Sequence, residues 1–575
     1  MKLPIFMRRR WLTLAVLVLI PHIGWSDSAL VTVTITAKAP VETLSLTGGV
    51  TGVKETTVGD HFIFVSIQGD RLILQDSQGT RYRIAQTATD YMPGPAPMPA
   101  PTSSFAATNA AAAVSSPVPA TNTTPVPTDS SISSSTPSPA VAPTSTASIS
   151  DDALATINTG LGKPFFSAQN FWQESALLVA NRLGLKLEDK TKWETSYRRY
   201  FYDRQYRNYA PVKILGGDAY CVALYADAND APTSALIAFT NDGDYQDTTD
   251  LQTDIYRLQH PSDAPLPNAD KQIAELQAKF NSIRQSFEAT RAKEQVTLTQ
   301  NLTALFGDPQ KTSFGSDAIT REDALRWDWN GISFLLTCEE NKYNLLRIIP
   351  TSLADNHGRT ERIPRDELGA KLTDAVEHRP NGDVVITQLP MADQGLKGYC
   401  VPATWERVLR YTGVPGDMYT LSRIGNAGFG GGENGIAVAA QLDSTLHDYG
   451  RRASLIRIGK IDAFSLSRYI DSGIPVFWVV NTEGYTPVTQ RYALCDRDQD
   501  WDEWKKLLDQ SRIPSTTKPD PLPYYGSHQV LITGYNPETK EIAWSDPWGR
   551  STQERWMTQE EAERCSLKEF YVITW

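Results

Sequence analysis

The sequence predicts a multidomain α+β chain, and three observations carry that prediction. At 575 residues it is too long for one hydrophobic core, and length alone favours about three or four domains. Residues 91–150 are almost entirely Pro, Ala, Ser and Thr, with Asp129 the only charge, so this stretch cannot bury a core and divides the chain. Downstream of it, apolar strand-like runs alternate with helical patterns. The expected order is a small β-barrel of SH3-like size, a disordered linker, a mixed α/β middle domain and a C-terminal domain that holds the chemistry.

Residues 1–26 have the layout of a secretory signal peptide. Lys2, Arg8, Arg9 and Arg10 precede the apolar run Trp11–Ile20, which is too short to span a bilayer comfortably. Gly24 and Ser26 supply small residues for cleavage. No second apolar run of spanning length follows, so the mature chain is expected to have no membrane span and to work outside the cytoplasm, in the periplasm, at the cell surface or secreted. Residues 27–90 contain segments rich in Val, Ile, Phe and Tyr at Leu30–Thr36, His61–Ile67, Arg71–Gln75 and Arg81–Ala85, parted by Gly and Ser turns. A five-stranded barrel fits this length and is read as a plain folded module, with attachment to the cell envelope as the use such a barrel could serve.

The net charge is −11, and no stripe of Lys and Arg interleaved with aromatics occurs, which argues against nucleic acid as a partner. Five cysteines in an exported chain suggest paired residues plus one free thiol. Cys221–Cys338 and Cys495–Cys565 are one pairing that leaves Cys400 free; four buried thiols are the alternative.

The middle domain, residues 151–375, is expected to carry strands at Ala219–Tyr225, Ser234–Phe239 and Ile332–Leu336. Ile273, Leu276, Phe280, Ile283 and Phe287 recur at helical spacing and place a helix over Ala269–Lys293, with Asn268 as its cap. That stripe is expected to pack on its own domain, since barely two heptads are too few for a coiled coil. Two stretches, Leu183–Tyr225 and Leu305–Asn344, share a helix end at Gly, a Trp and a strand carrying a Cys, a hint of internal duplication. Neither contains a catalytic constellation.

The chemistry is expected in residues 381–575. Gly398-Tyr-Cys400-Val-Pro402 opens a helical pattern in which Pro402 fits the first turn and Trp405, Val408 and Leu409 share a face; Gly413 ends it. A thiol at a helix start meets unsatisfied N–H groups and the positive end of the dipole, both of which favour thiolate. Gln394, in the preceding loop, offers a side-chain N–H that can join the Cys400 backbone N–H around an oxyanion. Far downstream, His528 opens the apolar strand that ends at Gly534. The following strand, Glu541–Ser545, leads into Asp546-Pro547-Trp548-Gly549. Adjacent antiparallel strands place His528 and Asp546 at one edge, so the carboxylate can hold the imidazole's tautomer.

The ordered set Gln394, Cys400, His528, Asp546, with its flanking Gly398-Tyr-Cys-Val-Pro402 and Asp546-Pro-Trp-Gly549, resembles the bacteriocin-leader-peptidase-like branch of the papain-fold cysteine peptidases. The resemblance covers 381–575. It implies a papain-like α+β fold, no cofactor or metal, and hydrolysis of a peptide or amide bond in a peptide or protein substrate. It also implies Cys400 as nucleophile, His528 as general base and acid, Asp546 as its orienting partner and Gln394 as oxyanion donor. Val401 stands where that family usually has Gly. Acyl transfer on the same triad and a silent envelope-binding module are the competing functions.

Other features have plainer readings. Gly430–Gly435 lacks the Lys-Ser/Thr ending of a phosphate loop and is expected to be a loop that lines the cleft. The alternating Asp496, Asp498, Asp500 and Asp502 lack the Gly and Glu of a calcium loop and are read as the acidic start of a helix. Residues 484–525 form a long excursion with the length of a lid, and His447 sits in a helical run with no acidic turn beside it.

Overall fold

A computed structural model describes residues 32–34, 36–38, 40–44, 50–57, 61–68, 71–75, 81–89, 150–188, 198–203, 212–245, 247–259, 268–425, 427–430, 432, 435–512 and 527–575. The expected signal segment and nearly all of the Pro-rich linker lie outside these residues.

The N-terminal module contains β1 (Thr32–Thr34), β2 (Pro40–Leu44), β3 (Val50–Glu55), β4 (His61–Gln68), β5 (Arg71–Gln75) and β6 (Arg81–Ala85). They pair antiparallel in the order β1-β4-β5-β6-β2-β3. This is a six-stranded sheet, with Leu72, Leu74 and Ile84 buried on one face. Among the described residues no β1–β3 pairing closes it, so a barrel is not what the described pairings form. The strands β2 and β3 carry Pro40, Gly52 and charged residues, which is why their strand pattern escaped the sequence.

The middle domain runs through α1 (Asp151–Leu161), α2 (Ala176–Leu183), β7 (Lys186–Leu187), β8 (Arg198–Asp203), β9 (Val212–Ile214), β10 (Gly217–Ala219), β11 (Cys221–Ala226), β12 (Pro232–Asn241) and α3 (Asp247–Gln259). It continues through α4 (Ala269–Phe306), β13 (Gln310–Phe314), β14 (Glu322–Trp329), β15 (Ile332–Glu339), β16 (Tyr343–Pro350) and α5 (Thr351–Asp355). Its main sheet has the order β13-β14-β15-β16-β12-β11-β8-β7. The order reads alike from either edge: a helix and a four-stranded meander, twice, joined at the β16–β12 pair. Cys221 and Cys338 lie on the third strand of their respective halves.

That placement rules out the suggested pairing of these two cysteines. Two strands separate β11 from β15, which is roughly 14 Å across a sheet, well beyond disulfide reach. All five cysteines are free thiols, Cys495 and Cys565 included. The helix α4 also differs from expectation. It runs on to Phe306 because Leu298 and Leu302 keep burying one side in an otherwise polar stretch. Asn268 precedes it in the left-handed region (φ 66°), and its side chain caps nothing.

Strand alternation explains how the middle sheet is used. Val222, Leu224, Ile237, Phe239, Leu346 and Ile348 point to one face and pack under Leu298 and Leu302 of α4. Cys221, Ala223, Leu236, Ala238, Tyr343 and Leu345 point to the other, where they meet Tyr399, Ala403, Met418 and Tyr419 of the C-terminal unit. A sheet covered on both faces reads as continuous apolar runs, which is the pattern these strands show.

The C-terminal unit comprises α6 (Arg365–Asp374), β17 (Val376–His378), β18 (Val384–Ile386), α7 (Cys400–Tyr411), α8 (Met418–Ile424), α9 (Gly435–Gln441), α10 (Asp443–Asp448), β19 (Arg452–Ile456), α11 (Ala463–Ile470) and β20 (Val476–Val480). It ends with α12 (Thr486–Leu494), α13 (Trp501–Ser511), β21 (His528–Asn536), β22 (Glu541–Ser545), β23 (Arg555–Thr558), α14 (Gln559–Cys565) and β24 (Ser566–Thr574). The sheet runs β17-β18-β21-β20-β24-β19, with β22 and β23 continuing from β21. Leu368, Leu372 and Ala375 join this unit's core, so α6 belongs to it by packing. Trp405, Val408 and Leu409 of α7 enter the same core against Phe477 and Val530.

The long excursion after β20 is pinned where it is described. Arg497 forms ion pairs with Asp383 at 2.7 Å and Glu541 at 3.1 Å, and Arg491 pairs with Glu561 at 2.6 Å. Asp500 caps α13 by accepting from the Glu503 amide, and Asp502 pairs with Lys505. Residues 513–526 of the excursion lie outside the described residues. Among the described residues no helix is long and apolar enough to cross a membrane, and no cluster of three or more His, Cys, Asp or Glu could hold a metal.

Candidate active site

Cys400 is the first residue of α7, and Tyr399 before it takes the N-cap position without a side-chain cap bond. The free N–H groups of that first turn therefore point toward the thiol's end of the helix. The helix ends at Tyr411, with Gly413 turning the chain at φ 75°. Thr404, one turn into α7, donates to the Gln529 carbonyl at 3.1 Å and so ties the helix to β21 beside His528. Arg407, one further turn on, is fully buried; it donates to the Pro390 carbonyl at 2.8 Å and to the Ser545 side chain. One guanidinium thus links the nucleophile helix, the loop that carries Gln394 and the strand end that carries Asp546.

His528 begins β21, and Asp546 follows the last residue of β22. The two strands pair antiparallel, with Leu531 opposite Ser545, which brings the imidazole and carboxylate to one edge. His528 Nε2 lies 2.9 Å from Asp546 Oδ1. With Nε2 committed to the carboxylate, Nδ1 is the nitrogen left for the thiol. The three groups are nearly sealed from solvent, at 8% exposure for Cys400, 1% for His528 and none for Asp546.

Burial by itself disfavours both a thiolate and an imidazolium. Here the neighbours outweigh it. Burial pushes the Cys400 thiol up, but the His528 side chain and the Gln529 backbone amide pull it down, and the net position is below that of an ordinary thiol. Burial likewise pulls His528 down, but Asp546 and then Cys400 raise it to about 10. Both shifts run in the direction that favours a thiolate beside an imidazolium backed by a carboxylate. The other thiols behave oppositely: burial drives Cys338 up to about 12 and also raises Cys495 and Cys565.

Gln394 is fully buried in the loop before α7. Its backbone N–H donates to the Pro547 carbonyl at 2.9 Å, which anchors the loop to the turn that follows Asp546. Its side-chain nitrogen donates to the Lys397 carbonyl at 2.8 Å; a carboxamide nitrogen carries two N–H groups, so a second remains after this bond. The structure therefore bonds His528 directly to Asp546, buries Cys400 at the adjoining helix start, and sets Gln394 in a buried loop bonded to the residues just before that cysteine.

Residues 385–572 match the Peptidase_C39 like family. No curated protein and no solved structure matches the chain. The family match assigns the C-terminal unit to the cysteine-peptidase type of hydrolase, and every residue of the constellation falls within the matched span.

In this Peptidase_C39-like unit some contributors carry no sequence signal of their own. Trp548 stacks on His528, with centroids 4.6 Å apart and planes at 25°. The Asp-Pro-Trp-Gly turn was legible as the end of the Asp546 strand, but the face its indole covers was not. Gly549 adopts φ 88°, and a Cβ there would run into the Asp393 carboxylate, so the turn requires Gly. The glycine-rich loop touches the site: Gly432 N–H donates to the Gly398 carbonyl at 3.0 Å. His447 is exposed on α10 and distant in sequence from these contacts. A cavity of about 450 Å³ lies at the opposite end of α7, lined by Leu236, Ile349, Arg410, Val414 and Leu421, and is separate from the thiol.

Proposed function

We propose that the chain is an exported cysteine hydrolase that cleaves a peptide or amide bond with Cys400 as nucleophile, His528 as acid and base, Asp546 as orienting carboxylate and Gln394 as oxyanion donor. The observation that carries this reading is the buried imidazole, held by a carboxylate at 2.9 Å and electrostatically coupled to a thiol whose ionisation it favours. A buried imidazole with a carboxylate partner, beside a helix-start thiol and inside the span that matches a peptidase family, supports a functional over a structural role.

The thiolate attacks the carbonyl carbon, and the carbonyl π electrons move onto oxygen. The Cys400 backbone N–H and the second Gln394 N–H stabilise that oxyanion. The tetrahedral species collapses, the imidazolium gives its proton to the departing amine, and an acyl thioester remains on Cys400. Water then attacks the thioester; His528 accepts its proton, and the thiolate leaves. Asp546 remains ionised throughout and keeps Nε2 protonated. Export follows from the basic and apolar N-terminal segment. The small β module and Pro-rich spacer serve as attachment and reach, with envelope polymers as the surface they hold.

A library of peptide amides bearing a C-terminal fluorogenic aminocoumarin tests the reading. Wild type is expected to release coumarin from a subset, and Cys400→Ala from none. Release that survives Cys400→Ala overturns the assignment, as does a wild type inert to the whole library in the presence of reductant. Adding glycinamide during turnover separates hydrolysis from acyl transfer, since only transfer yields the extended peptide.

A further inference from the structure

We infer that the middle domain is a working part of the active site, because it positions the two segments that supply the oxyanion hole. This rests on the roles assigned above to Cys400 and Gln394. Each of those residues is preceded by one that the middle domain grips.

Before Gln394 stands Asp393. Its backbone N–H donates to the Glu188 carboxylate, just past β7, at a sequence separation of 205. Glu188 is fixed in turn by Arg199 of β8 at 2.5 Å, and both side chains are essentially buried. The Asp393 carboxylate then accepts from Gly395 N–H at 2.9 Å, so Gln394 sits inside a local turn whose first residue the middle domain holds.

Before Cys400 stands Tyr399, fully buried. Its hydroxyl lies 3.0 Å from Asn241 Oδ1 and 2.7 Å from Asp242 Oδ1, at the end of β12. Lys342 pairs with Asp242 at 3.0 Å and donates to the Ala427 carbonyl at 2.6 Å. The Asp242 carbonyl accepts from Gly430 N–H at 3.0 Å, which anchors the glycine-rich loop that bonds Gly398. Gly243 lies flat against the Tyr399 ring: a Cβ there would come within 2.4 Å of it. Two turns of one middle-domain half therefore hold the residues at positions 393 and 399, one before each donor.

Such residues act through others and are positioning residues. Their effect should fall on the oxyanion and spare the thiolate, because the thiolate depends on His528 and Asp546, which these contacts do not touch. Two probes separate the effects. Iodoacetamide alkylation of Cys400 forms a C–S bond, expels iodide and develops no oxyanion. A peptide aldehyde adds the Cys400 sulfur to its carbonyl carbon, the π electrons move to oxygen, and the resulting thiohemiacetal oxygen sits in the hole as anion or, after protonation from the imidazolium, as hydroxyl.

The experiment uses the full chain and measures protection of Cys400 from iodoacetamide by acetyl-Leu-Leu-norleucinal. The variants are Tyr399→Phe, Gly243→Ala and Glu188→Gln. Tyr225→Phe, which removes the 3.0 Å bond to Glu406 elsewhere on the same interface, is the control. Aldehyde affinity is expected to fall by about tenfold to a hundredfold in the three variants, as misplaced oxyanion donors require, with alkylation rates within about twofold of wild type. The control should change neither. Unchanged aldehyde affinity in all three overturns the inference, as does a parallel loss of affinity and alkylation accompanied by lowered melting temperature, or no protection in the wild type. If Cys400 is not the thiol selectively alkylated, the hydrolase reading itself fails; if it is, a flat aldehyde result removes only the positioning role.

Discussion

The molecule contains two large antiparallel sheets that both bury fixed charge pairs and differ in what the second adds to them. In the middle sheet, Arg347 pairs with Glu322 at 2.9 Å and reaches Asp417 of the C-terminal unit at 3.0 Å, while Arg199 pairs with Glu188. A guanidinium stays protonated at any pH the fold survives, so these pairs hold one geometry and exchange nothing. The C-terminal sheet buries fixed pairs too, Arg497 with Asp383 and Glu541, but it adds an imidazole held by Asp546 with a thiol at the adjoining helix start, and both of these can lose or gain a proton. Fixed pairs hold geometry in both sheets, and the titratable pair sits in the second. The difference lies in the residue types.

The sharpest way to break this contrast is His528→Ala. Losing the acid and base should lower hydrolysis by about 10²- to 10⁴-fold in a fluorogenic assay, beyond the stability cost of leaving the buried Asp546 without its partner. A comparable activity with alanine there would reduce the C-terminal pair to a structural one. Arg347→Met makes the converse test: it leaves the buried Glu322 with only Arg423 at 3.4 Å and takes the cation from Asp417 at the domain junction, and should cost about 3–5 kcal/mol in chemical denaturation. A cost near zero would mean that the junction does not depend on fixed charge. Phe429→Ala removes a nearly buried ring that packs on Phe280 and Phe287 of α4 and on Tyr245. It should cost about 2–4 kcal/mol, since the site stays partly open to relaxation. Arg359→Ala, in an exposed pair with Asp448, should change stability by less than about 0.5 kcal/mol and leave activity alone.

How much of this was legible in the sequence follows from where each signal resides. Cys400, His528 and Asp546 were readable because each has local punctuation: Pro402 in a first turn, a strand opening after Gly526 and Ser527, and the Asp-Pro-Trp-Gly turn. The strands β11, β12 and β15 were readable as apolar runs because both sheet faces are covered. The strands β2 and β3 were not, being short and polar. The last turns of α4 were missed because Arg291, buried at 6% exposure, stands in the apolar stripe. The pairing of Glu188 with Asp393 joins positions 205 apart, and nothing in either neighbourhood marks it. Cysteine arithmetic suggested disulfides that the strand order then excluded, since sequence spacing says nothing of which strands lie between.

The thiolate–imidazolium pair is tested most directly by the rate of Cys400 alkylation with iodoacetamide as a function of pH. His528 is raised, so the charge it lends is complete below the ordinary histidine range and is lost only as pH climbs through about 10. The Cys400 thiol is lowered, so its thiolate persists down to a pH below that of an ordinary cysteine and is lost as pH falls further. Wild type should therefore label Cys400 ahead of the four other thiols well below pH 8, roughly the onset for an unperturbed thiol, and His528→Ala should shift that labelling upward. Labelling of Cys400 that follows an ordinary thiol in both proteins, with no dependence on His528, would contradict the account.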